Sequence, residues 1–193
     1  MSGSLPPGMP VSWYGDVVAQ LAAPRCRIAV DTSDAPLAAL CESLDRGAPD
    51  LIKPNGEELA SVLGLPADSL EDAVAQGDPE PVVAAARQLI DRGIGAVLAT
   101  LGAAGAVLVD RNGAWLATPP PITPRSTVGA GDSSLAGYVR AEVGGAVPPQ
   151  RLQMAVAYGS AAAALPGTTL PTPAQVDLNA VQVAPISPIP ATR

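Results

Sequence analysis

The chain has 193 residues, a formal charge of −7, 15% charged residues and no histidine. The missing histidine excludes Ser-His-Asp and Cys-His catalysis, His-ligated zinc and His-based pH switching, and the acidic balance argues against a nucleic-acid partner, because phosphate backbones select basic faces. The 48% hydrophobic content rests on 36 alanines, with aromatics at 3% and no Phe, so the core must be built from Val, Leu, Ile and small side chains.

Residues 2–8, Ser-Gly-Ser-Leu-Pro-Pro-Gly, are loop chemistry, and residues 11–23 follow with a helical pattern. Residues 27–30 form a short apolar strand ending at Asp31. A helix is predicted over 34–46, with Asp34 as its N-cap and Gly47 just past its end. Residues 50–53 read as a second buried strand stopped by Pro54, followed by a helix over 56–63. A polar connection over 64–79 holds a short helix at 69–75. Val82, Val83, Ala86, Leu89 and Ile90 recur at helical spacing within 80–92, and Gly93 ends that helix. Strands are predicted at 96–101, 106–109 and 114–117, joined by a turn at 102–105 and a hairpin turn at 110–113. Three prolines at 119–121 make an extended crossing. Gly129 then opens a helix reaching Val143, a second helix rich in small residues covers 148–164, and the Pro-rich tail after 173 holds one last short helix.

Apolar strands alternating with helices predict an α/β fold with a mainly parallel sheet covered on both faces. There is no internal repeat and no clear domain boundary. Cys26 and Cys41 are too few for a disulfide scaffold and read as buried small hydrophobes. No apolar run reaches the ~20 residues of a membrane span, and the N-terminus lacks a basic signal-peptide region. The expectation is a cytoplasmic protein with no membrane partner.

Three segments carry chemistry. In Ser126-Thr-Val-Gly-Ala-Gly-Asp-Ser-Ser-Leu-Ala-Gly137, small Gly129, Ala130 and Gly131 let a ligand approach the backbone, and a helix start there offers free N–H groups to an anion. Asp132, in the first turn, is placed to serve as a general base. The bland reading is an ordinary helix start. In Lys53-Pro-Asn-Gly-Glu-Glu58, Asn55 and Glu58 share a helix face at the end of a strand and could hold Mg²⁺ through waters; the bland reading is a capping box. In Thr100-Leu-Gly-Ala-Ala-Gly105, a strand followed by Gly-x-x-Gly could pass close to a nucleotide, or be only a tight turn.

Taken in order, these motifs resemble the ribokinase-like (PfkB) family of sugar kinases over nearly the whole chain. Thr127 to Asp132 looks like that family's C-terminal signature, Lys53 to Glu58 like its Asn-x-x-Glu motif, and Thr100 to Gly105 like its nucleotide loop. The opening Ser-Gly-Ser-Leu-Pro-Pro-Gly is similar to the phosphosugar-kinase branch, the 1-phosphofructokinases above all. The resemblance implies phosphoryl transfer from MgATP to a sugar phosphate, with fructose 1-phosphate as the acceptor. Asp132 would be the base, and the backbone of Gly129, Ala130 and Gly131 the anion hole. ATP would be held by Lys53, Asn55, Thr100, Gly102, Ala103, Ala104, Gly105, Thr127, Gly131, Val156, Gly159 and Ser160. Asn55 and Glu58 would organise Mg²⁺ through water. Many relatives carry Asp where this chain has Arg125, which weakens the case for a potassium site. Family members are longer, and in them the Ser-Gly-Ser-Leu-Pro segment lies near mid-chain. The resemblance therefore implies a partial domain over 1–193 with no second domain, lacking the N-terminal strands and lid and transferring phosphate slowly or not at all by itself. A strand edge left open would favour pairing with another chain, so a homodimer is one expected assembly. The other readings are a non-catalytic nucleotide-binding or assembly module, a tagatose-6-phosphate or 6-phosphofructokinase-type relative, and an enzyme of the same fold acting on a nucleoside or vitamin alcohol.

Overall fold

The computed structural model describes residues 1–21 and 26–187. The helices are α1 Trp13–Leu21, α2 Asp34–Glu42, α3 Gly56–Val62, α4 Ser69–Ala75, α5 Glu80–Asp91, α6 Ala130–Val143 and α7 Pro148–Ala163. The strands are β1 Ala29–Val30, β2 Leu51–Ile52, β3 Ala96–Thr100, β4 Ala106–Asp110, β5 Gly113–Thr118 and β6 Gln182–Ser187. They form one sheet in the order β1-β2-β3-β4-β5-β6.

The side-chain alternation of a strand builds the two layers. Val97 and Ala99 of β3, with Val107 and Val109 of β4, face a core filled by Leu40, Leu59, Leu70, Val82 and Leu89 from α2 to α5. Ala96 and Leu98, with Ala106 and Leu108, face the opposite core, filled by Leu135 and Tyr138 of α6 and Leu152, Ala155 and Val156 of α7. The sheet is thus covered on both faces, as expected for α/β.

The mainly parallel sheet is corrected to a mixed one. β1, β2 and β3 run parallel, whereas β3–β4, β4–β5 and β5–β6 are antiparallel. Strands buried on both faces read as continuous apolar runs whatever their direction, which is why the pattern suggested parallel pairing. The short connections after β3 and β4 leave no room for a crossover and impose hairpins. β6 was not expected at all, because the tail containing it is Pro-rich. It is the edge strand, where a missing N–H is tolerated, and Pro185 pairs with Trp115 beside a register shift. The short helix expected after 173 is a single 3₁₀ turn at Pro173–Gln175.

Two smaller differences concern helix starts and cysteines. Ser33, not Asp34, is the N-cap of α2, and Asp34 takes a left-handed φ of 52°, a conformation Asp tolerates better than most residues. Cys41 is buried in the α2 core, and burial pushes its thiol up to about 11, whereas Cys26 is exposed in the stretch leading into β1. The last two residues of the helix expected at 11–23 lie outside the described residues.

α6 and α7 pack closely because Gly137 has no side chain. A Cβ there would come 2.7 Å from the Met154 carbonyl oxygen and 3.1 Å from Tyr158 Cβ. Gly137→Ala is therefore expected to lower unfolding stability by about 1–3 kcal/mol, the range for overpacking. Urea denaturation of the variant would read this, and unchanged stability would contradict so tight a seam.

Candidate active site

Three strand ends lie side by side. Asp31 follows β1, Lys53 follows β2 and Thr100 ends β3, at the carboxyl edge where open α/β sheets hold ligands. They are tied by backbone bonds from Lys53 N–H to the Val30 carbonyl (3.2 Å) and from Thr100 N–H to the Pro54 carbonyl (3.0 Å). The N-terminal segment runs beside β1. Asp31 N–H donates to the Met1 carbonyl and Gly3 N–H to the Asp31 carbonyl, both at 2.9 Å. The Gly3 carbonyl also accepts from Tyr14 O–H at 2.6 Å and Thr32 O–H at 3.1 Å.

α6 starts facing these strand ends. Its N-cap, Gly129, has φ 81°, a left-handed turn that costs glycine little and swings the chain into the helix. Ala130 N–H is turned back onto the Thr127 carbonyl at 3.2 Å. The amides of Gly131 and Asp132, also in the first turn, have no intrahelical acceptor and remain the donors for an anion. Asp132 is exposed, and its Oδ1 accepts from the Ser2 hydroxyl at 2.8 Å.

Lys53 lies behind this turn. It is 6% exposed, its Nζ is 3.1 Å from Asp31 Oδ1, and it sits 3.1 Å from the position a Cβ on Gly131 would take. Burial pushes the Asp31 carboxyl above its ordinary 3.8 despite that ammonium group, and the charge of Asp132 pushes the same way. Asn55 and Glu58 form the capping box of α3. Asn55 Oδ1 accepts from Glu58 N–H at 2.7 Å, and Asn55 N–H donates to Glu58 Oε2 at 2.8 Å. Partial burial raises the Glu58 carboxyl above its ordinary 4.5.

A carboxyl whose pKa is higher folded than unfolded holds its proton more tightly in the folded chain. Stability then falls as pH rises from the ordinary carboxylate value through the raised one, and levels off above it. Asp31→Asn combined with Glu58→Gln is expected to flatten that fall. Gln at 58 keeps an oxygen for the Asn55 amide. Denaturation midpoints between about pH 4 and about pH 7 read the slope; a slope identical to the parent chain would contradict the raised values.

A cavity of about 840 Å³ opens between these elements. Asn55, Thr100, Gly102, Ala103 and Gly105 line it from the strand ends, Thr127, Ala130 and Gly131 from the start of α6, and Val156, Gly159 and Ser160 from α7. The other expected residues are not in the lining. Lys53 is behind Gly131, Ala104 packs on the α2–α5 core, and Glu58 is turned into its cap. Gly129 and Asp132 belong to the α6 turn on which the cavity ends. Sequence reasoning missed Glu57, Glu71, Ser134, Ala163 and the wall made by Pro119 to Pro121, Ile122 and Pro124. Ala163 was within reach, because 156, 159, 160 and 163 share one helix face. No group of three metal-ligating His, Cys, Asp or Glu side chains forms among the described residues, and none of their helices is long and apolar enough to cross a membrane.

Comparison with known proteins gives a consistent set of matches. The family model described as pfkB family carbohydrate kinase matches residues 1–175. A 1-phosphofructokinase of Xanthomonas campestris is 38% identical over 141 residues, covering 73% of this chain and 42% of the relative. A 1-phosphofructokinase of Rhodobacter capsulatus is 36% identical over 173 residues, covering 90% of this chain and 51% of the relative. The crystal structure of phosphofructokinase-2 from Escherichia coli in complex with potassium superposes with a TM-score of 0.78 at 31% identity, over 90% of this chain and 53% of that one. The chain spans about half the length of the curated relatives it matches.

Proposed function

This chain belongs to the pfkB family of carbohydrate kinases, and from that premise we propose that it carries the nucleotide side of an ATP-dependent phosphosugar kinase acting on fructose 1-phosphate. The observation that carries the proposal is the cavity itself. One wall is a Gly-x-x-Gly turn, another is the small-residue face of α7, and it ends on the α6 turn that presents Asp132. Such a slot suits a flat base and sugar, with the phosphates at a helix N-terminus.

Asp132 has the role of base. Its carboxylate takes the proton of the acceptor hydroxyl as that oxygen bonds to the γ-phosphorus, and the bond from that phosphorus to the bridging oxygen of ADP breaks. The amides of Gly131 and Asp132, and the positive end of α6, offset charge on the transferring group, so the helix start supplies electrostatic positioning. Lys53 holds the turn from behind, and its own charge is largely offset by Asp31.

The residues present fit a water-bridged Mg²⁺. Glu58 keeps one carboxylate oxygen outside its cap, and its raised pKa reflects a desolvation cost that a nearby cation relieves. Asn55 and Glu58 would hold the ion through its waters, and the ion would neutralise phosphate charge.

The phosphofructokinase names of the relatives support a sugar-phosphate acceptor, and the 1-phosphofructokinases among them support fructose 1-phosphate. Transfer of labelled γ-phosphate, followed in parallel with fructose 1-phosphate, fructose 6-phosphate and tagatose 6-phosphate, tests this. The expected result is fastest labelling of fructose 1-phosphate. Faster labelling of either other sugar would overturn the choice of acceptor while leaving the kinase reading intact.

A further inference from the structure

Ser134 lies on α6 one turn beyond Ala130 and lines the same cavity. The residue is only 5% exposed, yet its hydroxyl makes no hydrogen bond within the described residues. Every fully sealed side-chain oxygen or nitrogen among them has a partner, so the small accessible remainder of Ser134 opens onto the cavity. Serine inside a helix commonly bonds back to the carbonyl four residues earlier, and this one does not. α7 leaves it uncovered as well, because the facing residue is Gly159, whose added Cβ would stand 3.4 Å from Ser134 Cβ and 3.9 Å from its Oγ. The lining it shares includes Val156, Ala163 and Ala106, with further hydroxyls at Thr100, Thr127 and Ser160.

Buried polar groups are paired with few exceptions, and a small number of placed polar groups in a largely apolar slot is the usual form of a specificity contact. Ser134 sits two to three residues, about 3–4.5 Å of helix rise, along α6 from the Gly131 and Asp132 amides that face the phosphates. We propose that the Ser134 hydroxyl hydrogen-bonds the nucleoside moiety of the bound nucleotide and sets which nucleoside the cavity accepts. This rests on the cavity being a nucleotide site.

Calorimetric titration of the wild-type chain and of Ser134→Ala with ATP and with inorganic tripolyphosphate tests it. Alanine removes one oxygen and is the better helix former. The expected result is ATP binding weakened about 3- to 10-fold, the loss of one hydrogen bond, with tripolyphosphate affinity unchanged. Repeating the pair with 2′-deoxy-ATP and inosine triphosphate locates the contact. The analogue lacking the partner group binds both chains alike, and a loss retained with both analogues assigns the bond to a group all three share, a ring nitrogen or the ribose 3′-hydroxyl. Equal affinity of the two chains for ATP, or equal weakening for tripolyphosphate, overturns the Ser134 assignment alone. A wild-type chain that binds no ATP overturns the nucleotide site and this contact together.

Discussion

Asp132→Asn is expected to lower phosphoryl transfer from ATP to a sugar phosphate by about 10²- to 10⁴-fold, the range for removing a positioned general base. The amide keeps the shape of the side chain and can still accept from Ser2, whose hydroxyl lies 2.8 Å from Asp132 Oδ1. It cannot take a proton at neutral pH. ATP affinity should hold or tighten, since a negative charge beside the phosphate end is removed while the Gly131 and Asp132 amides stay in place. Because the chain spans about half the length of its curated relatives, its own rate is expected to be low, and single-turnover transfer of labelled γ-phosphate is the suitable readout. Unchanged transfer in the variant would remove Asp132 from the role of base. Weakened ATP binding with unchanged transfer would make it a binding residue instead.

Lys53→Met should cost about 3–5 kcal/mol of unfolding stability at neutral pH, the penalty for stripping one partner from a buried ion pair. Lys53 and Asp31 expose only 7% and 15% of their side chains. With the Lys53 ammonium gone, the Asp31 carboxylate faces Asp132 with only the chain's N-terminal ammonium to offset it, and its pKa, already raised by burial, rises further. The sign follows from that rise. The unpaired carboxylate destabilises the fold only while ionised, so the loss shrinks as pH falls and Asp31 takes up a proton. Asp31→Asn added to Lys53→Met should recover most of the loss at neutral pH. Denaturation of both variants across the acid range reads this. A loss independent of pH, or no rescue by the second substitution, would show that Lys53 matters through packing and not through its charge.

The local features of the fold were legible in the sequence because local chemistry sets them. The short helix at 69–75 coincides with α4, and the Asn55–Glu58 capping box forms with both of its bonds. The capping-box reading of that motif is the one the structure shows, and the box fixes where Glu58 points. Strand direction was legible only at the hairpin expected over 110–113, where β4 and β5 are antiparallel. Buried strands look alike in either direction, and only the short connections after β3 and β4 decide the pairing. β6 escaped because prolines hide a strand that sits at a sheet edge.

In the site, the residues that bring backbone or a small side chain to the cavity were readable from Gly-rich spacing, and Gly102, Gly105, Gly131 and Gly159 all line it. Contacts between elements far apart in sequence were not. Nothing local pairs Lys53 with Asp31, brings Ser2 to Asp132, or leaves Ser134 uncovered opposite Gly159. Lys53 opens the motif as the sequence suggested, but the fold sets it behind the anion-facing turn and not in the cavity lining.

The proposed kinase chemistry requires that the cavity between the Gly102–Gly105 turn and α7 take a nucleotide. Calorimetric titration of the 193-residue chain with ATP tests it most directly, set beside Ser160→Trp, which places an indole in the slot from the α7 side. One ATP should bind per chain, and Ser160→Trp should lose that binding while staying folded. No binding by the wild-type chain, or equal binding by the folded variant, would contradict it.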